Sequence, residues 1–248
     1  MRVIQNFILG LQFLTRINIT KKSMPCEKED FKGAMNFFVV IGLIIGVLQY
    51  LTYCIFSTVG NELFGAFMAA LAGIYFTGGI HLDGLADIFD GFGANASPER
   101  TLDIMKDSCC GTFGVVALMV DVLFHVTAFY ALKDYPLVII LIPMAGKLGI
   151  CILCKLGENL KQGLGALWIE NIGPIGLMIN VVVATLVTFF VLGDMILTVI
   201  LIGIIAIQVY GLNKKYTNKL GNLTGDCLGA TNQLVEWLIL TYLIILFN

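Results

Sequence analysis

Charge is what this chain has least of. Only 13% of its 248 residues are Asp, Glu, Lys or Arg, against 58% hydrophobic, and the mean hydropathy is +0.91. A soluble domain carries about 25% charged residues, so a soluble fold is excluded and an integral membrane protein is indicated. Surplus positive charge is missing too. A net charge of −2 leaves no basic footprint for nucleic acid. The seven cysteines form no framework of the secreted kind. Cys54, Cys151 and Cys154 lie in apolar segments, where a small apolar filler is the plain reading, and Cys109 and Cys110 are adjacent beside an acidic stretch. Cys151 and Cys154 share the spacing of a redox pair but lack its soluble context. No cleavable signal peptide is evident. Gln5, Asn6, Gln12 and Arg16 interrupt the apolar positions of the first 20 residues, which predicts an N-terminal interfacial amphipathic helix. No internal repeat is found.

What is abundant is long apolar runs. A spanning helix needs about 20 mostly apolar residues. Seven candidates are predicted: Phe37–Val59, Leu63–Ile80, Thr112–Leu132, Pro136–Lys155, Ile172–Leu192, Met195–Leu212 and Leu228–Phe247. The links at 60–62 and 193–194 are short enough to force antiparallel neighbours. The fold class is therefore all-α, a polytopic bundle of about seven transmembrane helices with short cytoplasmic helices, in a single domain spanning 1–248. Residues 1–32 form an N-terminal arm and 81–111 an acidic segment. Lys and Arg favour the cytoplasmic side. Seven spans with the N-terminus inside put the arm and the segments 81–111, 155–171 and 213–227 on that side, with thirteen of the 15 basic residues. Lys133 then faces outward and Lys147 lies within the membrane. The predicted location is the cytoplasmic membrane, multi-pass, with the acidic segment facing the cytoplasm.

That segment carries the chemistry. Residues 78 to 91 read Gly-Gly-Ile-His-Leu-Asp-Gly-Leu-Ala-Asp-Ile-Phe-Asp-Gly. If the stretch is helical, Asp83, Asp87 and Asp90 share one face. Three carboxylates repel one another unless a cation lies between them. Oxygen ligands suit a hard divalent ion, most simply Mg²⁺, which bridges carboxylates to substrate phosphates. Ser97 and Pro98 then predict a second short helix over Pro98–Ser108, with Asp103 and Asp107 one turn apart. Two acidic helices joined by a glycine-rich turn can hold one or two ions; the plainer reading is a solvated acidic loop. His81 can pack, cap, donate to a phosphate or act as a base.

Elsewhere, Thr224-Gly225-Asp226 precedes the last span, where Asp226 is a cap or a ligand. Glu236, Lys147, Asp121 and His125 fall inside spans, and an ionisable group there is functional by default. Asp121 and His125, four apart, read as a structural pair. Lys147 can reach a phosphate or neutralise Glu236 or Asp121. Gly163 and Gly165 allow close backbone approach to a ligand.

Together these pieces resemble the cobalamin synthases, also called adenosylcobinamide-GDP ribazoletransferases. The resemblance runs through Phe13-Leu-Thr-Arg16, residues 78–91, Ile104-Met-Lys-Asp-Ser108, Gly111-Thr-Phe-Gly114, Gly163-Leu-Gly165, Thr224-Gly-Asp226 and Leu228-Gly-Ala230. It implies that α-ribazole, or its 5′-phosphate, is joined to adenosylcobinamide-GDP with release of GMP, by a Mg²⁺-dependent enzyme of the cytoplasmic membrane. It implies metal ligation by Asp83, Asp87, Asp90 and Asp107, and site roles for His81, Lys106 and Asp226. Phosphate contacts are expected from Arg100, Lys106, Lys147, Gly163, Gly165, Thr224 and Asp226. The proton acceptor is expected among Asp107, His81 and Asp83, with Asp107 the first candidate. The chain departs from the family pattern at Cys109 and Cys110, at His125 in place of a lysine, and at Lys147 in place of an arginine. The lipid bilayer is an expected partner, and a homo-oligomer is left open. Two other readings compete. A CDP-alcohol phosphotransferase also carries a carboxylate array, but its Asp-Gly string continues Ala-Arg, whereas here Ala86 is followed by Asp87. A transporter is permitted by Lys147 and Glu236, but it would place its carboxylates at mid-membrane, often in repeated halves.

Overall fold

A computed structural model describes residues 2–19, 28–158, 167–169 and 172–247. Among them the secondary structure is helical. The order is α1 (Arg2–Leu14), α2 (Lys28–Met35), α3 (Phe38–Val59), α4 (Glu62–Thr77), α5 (Ile80–Gly93), α6 (Pro98–Met105) and α7 (Thr112–Ala131). A 3₁₀ turn, Pro136–Ile140, leads into α8 (Leu141–Leu156), followed by α9 (Pro174–Leu192), α10 (Met195–Leu220) and α11 (Gly225–Phe247). Six of these segments are long and apolar enough to cross a bilayer, or up to seven if the bent pair α4 and α5 counts as one span. The protein is a multi-pass membrane helix bundle. Its outer faces are apolar, with Phe190, Ile196 and Ile207 exposed. Lipid solvates such surfaces, while the backbone groups are satisfied within each helix. Helix α8 is the central element, 83% buried along its apolar window, and packs against α3 and α11.

Three boundaries differ from the predicted ones, each for a physical reason. The second span ends at Thr77, and a new helix starts at Ile80 after a 91° bend. Gly78 and Gly79 make this corner with φ of 69° and 76°, a left-handed conformation that costs other residues about 1–2 kcal/mol each. Helix α5 therefore turns off the line of α4. It runs across the end of the bundle, against the N-termini of α7 and α11. The loop predicted over 213–227 is largely helix: α10 continues to Leu220 and α11 begins at Gly225. Polar residues such as Lys214, Lys215 and Lys219 end an apolar stripe without ending a helix. The second acidic helix stops at Met105 rather than Ser108. Asp107 lies beyond it and accepts the Cys109 N–H at 3.0 Å, the local side-chain bond with which Asp competes against helix.

The N-terminal helix exists, and its Gly10, Leu11 and Leu14 face is buried on the protein. Phe7 meets Phe37 edge to face, with ring centroids 5.6 Å apart. The arm thus also contains α2 and folds back over the bundle end.

Candidate active site

The glycine corner aims α5, and a second pair of glycines sets how close it comes to α11. A Cβ on Gly84 would fall 2.8 Å from the backbone oxygen of Asp226 and 3.2 Å from the Cα of Gly229. A Cβ on Gly229 would meet Gly84 and His81 in turn. Small residues at a crossing let helix backbones approach, and here they bring the acids of α5 beside the first turn of α11. Asp83 is exposed there; Asp87 and Asp226 are half-buried. Partial burial, and then the charges of Asp226, Asp83 and Asp90, push the Asp87 carboxyl up to about 7. Thr224 donates its hydroxyl to Asp226 at 3.3 Å.

Asp90 has a second duty. Its two oxygens accept the Gly111 and Gly114 backbone N–H groups at 2.7 and 2.8 Å, so α5 caps the N-terminus of α7 from outside that helix. Such a cap satisfies donors that have no partner inside the helix. Side chains on Gly111 and Gly114 would collide with this carboxylate, which accounts for both glycines. Asp107 is exposed, and Arg100 is exposed on α6, whose N-cap Ser97 accepts the Arg100 backbone N–H at 3.4 Å. Lys219 donates to the Ala96 carbonyl at 2.8 Å and ties the α5–α6 turn to α10. Among the described residues, no three His, Cys, Asp or Glu side chains already enclose a common point for an ion.

Beside these acids opens a cavity of about 330 Å³. It gathers five predicted site residues: His81, Asp83, Lys106, Thr224 and Asp226. Its remaining wall is apolar and includes Phe13, Phe38, Ile150 and Trp168. This is the usual make-up of a ligand pocket, apolar with a few converging polar groups. Burial, and then the nearby Lys147 charge, hold His81 well below the usual imidazole range, so it is neutral at pH 7. Its Nε2 is buried without a hydrogen-bond partner. Arg100 and Lys147 do not line the cavity, and Gly163 and Gly165 lie outside the described residues. Sequence reasoning did not single out Trp168, although it is one of only two tryptophans and follows the glycine pair closely.

Lys147 belongs to a different assembly, buried within the bundle. It is 0% exposed and donates to Asn232 at 2.8 Å, and Asn232 donates to Glu236 at 2.7 Å. His125 stands 3.2 Å from Glu236 through Nε2 and 3.4 Å from Asp121 through Nδ1. Gln233 and Trp237 both donate to Asp121, at 3.0 and 2.7 Å. The predicted pairing of Asp121 with His125 is present, and Glu236 and Lys147 join it.

Residues 6–244 match the family described as cobalamin-5-phosphate synthase. The chain belongs to the cobalamin-5-phosphate synthase family. It is 38% identical to a Clostridium tetani (strain Massachusetts / E88) protein named adenosylcobinamide-GDP ribazoletransferase, over 95% of this chain and 94% of that one. A Clostridium botulinum (strain Langeland / NCTC 10281 / Type F) protein of the same name is 38% identical over 98% of both chains. A Clostridium kluyveri (strain NBRC 12016) relative, also so named, is 32% identical over 99% of this chain and 98% of its own. No solved structure matches. The lipid-headgroup and transporter readings gain no support from these relatives.

Proposed function

We propose that this protein joins α-ribazole, or its 5′-phosphate, to adenosylcobinamide-GDP and releases GMP, at the cytoplasmic face of the cell membrane. One observation carries the reading: a single cavity gathers the acids of α5 and α11, a lysine and an apolar wall, in a chain that matches the family along nearly its whole length. The cytoplasmic orientation rests on the lysines and arginines at this end of the bundle.

A divalent cation fits the donor set. Asp83, Asp87 and Asp226 offer only hard oxygen ligands, and the Asp87 carboxyl, raised first by burial and then by Asp226, Asp83 and Asp90, lies among like charges that a cation would relieve. Asp90 adjoins them with its oxygens already accepting backbone bonds, and Asp107 stands ready on the exposed turn. When bound, Mg²⁺ would neutralise the diphosphate and stabilise the leaving phosphate oxygen. The residues themselves do the positioning. Lys106, at the end of α6, reaches the phosphates from the cavity rim. The ribazole hydroxyl oxygen attacks the phosphorus nearer the corrinoid, the bond to the bridging oxygen breaks, and GMP departs with that oxygen. The hydroxyl proton goes to a cavity carboxylate. Asp226, which lines the cavity with Thr224 holding its orientation, is the proposed acceptor, and the ion would then rest on Asp83 and Asp87. His81, neutral and walled in, orients substrate. Such chemistry depends chiefly on positioning and charge neutralisation.

The test is direct. Purified protein in detergent, given Mg²⁺, adenosylcobinamide-GDP and α-ribazole phosphate, should release GMP and form the joined product by mass. No GMP under these conditions sinks the reading. EDTA should abolish turnover and Mg²⁺ restore it; undiminished turnover in EDTA removes the metal from the proposal.

A further inference from the structure

The cavity holds a group that the phosphate chemistry does not use. Trp168 is 1% exposed and lines the cavity, yet its indole N–H is buried with no hydrogen-bond partner among the described residues. A buried donor left unmade is costly, and Trp in a protein interior usually finds an acceptor. Three rings hold the indole in place: Phe13 at 4.4 Å, Phe31 at 5.0 Å and Phe38 at 5.2 Å between centroids. They come from α1, α2 and α3, so three helices converge on one indole. Phe13 and Phe38 line the same cavity.

We propose that this aromatic wall seats the base of the ribazole substrate, and that Trp168 reads the base by donating its N–H to the ring nitrogen left free by ribosylation. The proposal rests on the transferase reading given above. Its chemistry is specific. A benzimidazole-type base bound to ribose through one ring nitrogen keeps a lone pair on the other, in the ring plane, where it can only accept. An indole N–H can only donate. The ring faces suit Phe13 and Phe38, since aromatic pairs favour offset or edge contacts. Size selects the occupant as well. A cavity of about 330 Å³ admits a bicyclic base with its ribose, whereas the corrin macrocycle is far too large and must stay outside, beyond the acids. The ribose then points toward Asp83 and Asp226, where its hydroxyl is needed. Trp168 is thus a specificity-determining residue.

The test compares two nucleoside phosphates with the full-length protein in detergent: α-ribazole phosphate, and the matching ribosyl-indole phosphate with C–H in place of the free ring nitrogen. With adenosylcobinamide-GDP saturating, the wild type should favour the ribazole by about 10- to 100-fold in kcat/KM. Trp168→Phe keeps an aromatic ring and removes the donor. It should raise KM for the ribazole by a similar factor, bring the preference for ribazole near unity, and leave KM for adenosylcobinamide-GDP unchanged. Equal use of the two nucleosides by the wild type overturns the proposal without any variant being made. An unchanged preference in Trp168→Phe overturns it too. GMP release with either result leaves the transferase reading standing, and no GMP release from the wild type fails that reading instead.

Discussion

Two acid-bearing regions of this bundle obey opposite rules. In the membrane-embedded cluster every charged group has a partner: Asp121 receives Gln233 and Trp237, His125 bridges to Glu236, and Asn232 links Glu236 to Lys147. At the cavity end Asp83, Asp87 and Asp226 lie close together with no ion pair of their own among the described residues, and burial, followed by the neighbouring carboxylates, pushes Asp87 up to about 7. Buried charge survives without water only when paired and hydrogen-bonded. An unpaired acid group persists only at an opening, where solvent or a ligand completes it. His81 marks the border: it lines the large cavity and also a small one of about 40 Å³ next to Asp121, His125 and Glu236. Perturbed acids in a cavity signal function, and a satisfied network signals architecture.

The comparison can be broken at either end. The largest effect is expected at Asp83. Asp83→Asn should lower turnover by on the order of 10²-fold or more while leaving the thermal midpoint in detergent nearly unchanged; full activity would remove Asp83 from the chemistry. Next comes Glu236. Glu236→Leu strands His125 and Asn232 inside the bundle and should cost about 3–5 kcal/mol. A lower midpoint with normal turnover per folded molecule would confirm the structural side of the contrast; loss of turnover with an intact midpoint would reverse it.

The third test uses pH. The folded Asp87 pKa is raised to about 7 from the ordinary carboxylate value of 3.8, so the folded state holds its proton more tightly than the unfolded chain. Without a divalent ion, the Asp87 contribution to stability is fully present below about pH 4 and is lost as pH rises through about 7. A divalent cation requires the deprotonated form. The gain in thermal midpoint from Mg²⁺ should therefore be larger at pH 8 than at pH 6, and an equal gain at both would exclude Asp87 from the ion. The smallest effect belongs to Ser97. Ser97→Ala removes the α6 cap, worth about 1 kcal/mol, and should loosen the Lys106 rim as faster amide exchange over residues 98–106, with the embedded cluster unaffected.

Much of this was readable in the chain. Hydropathy located the spans because lipid demands long apolar runs. Ser97 and Pro98 announced α6, whereas the span predicted over Leu63–Ile80 ran straight through the Gly78-Gly79 corner. The 3.6-residue period put Asp83, Asp87 and Asp90 on one face. Pattern alone could not show that Asp90 also caps α7, because that bond joins elements distant in sequence. Nor could it show Asp226 beside Asp83, which depends on two glycines touching across a helix crossing. Asp107 shows the limit of periodic reasoning: an i, i+4 pair with Asp103 presumes a helix that the Asp107 side chain helps to end. Trp168 carried no pattern signal, because the rings that fix it, Phe13, Phe31 and Phe38, come from elements distant in sequence.

The contact between Gly84 and Gly229 makes the separation of the α5 acids from Asp226 a mechanical setting. No side chain lies between the ribbons, and the neighbours a methyl would strike are main-chain atoms that cannot rotate away. A single added carbon at residue 84 would act as a shim, wedging α5 off α11 by tenths of an ångström. The spacing of α5 from α11 is thus gauged by hydrogen atoms, and changing one of them offers a graded way to alter it without touching any acid.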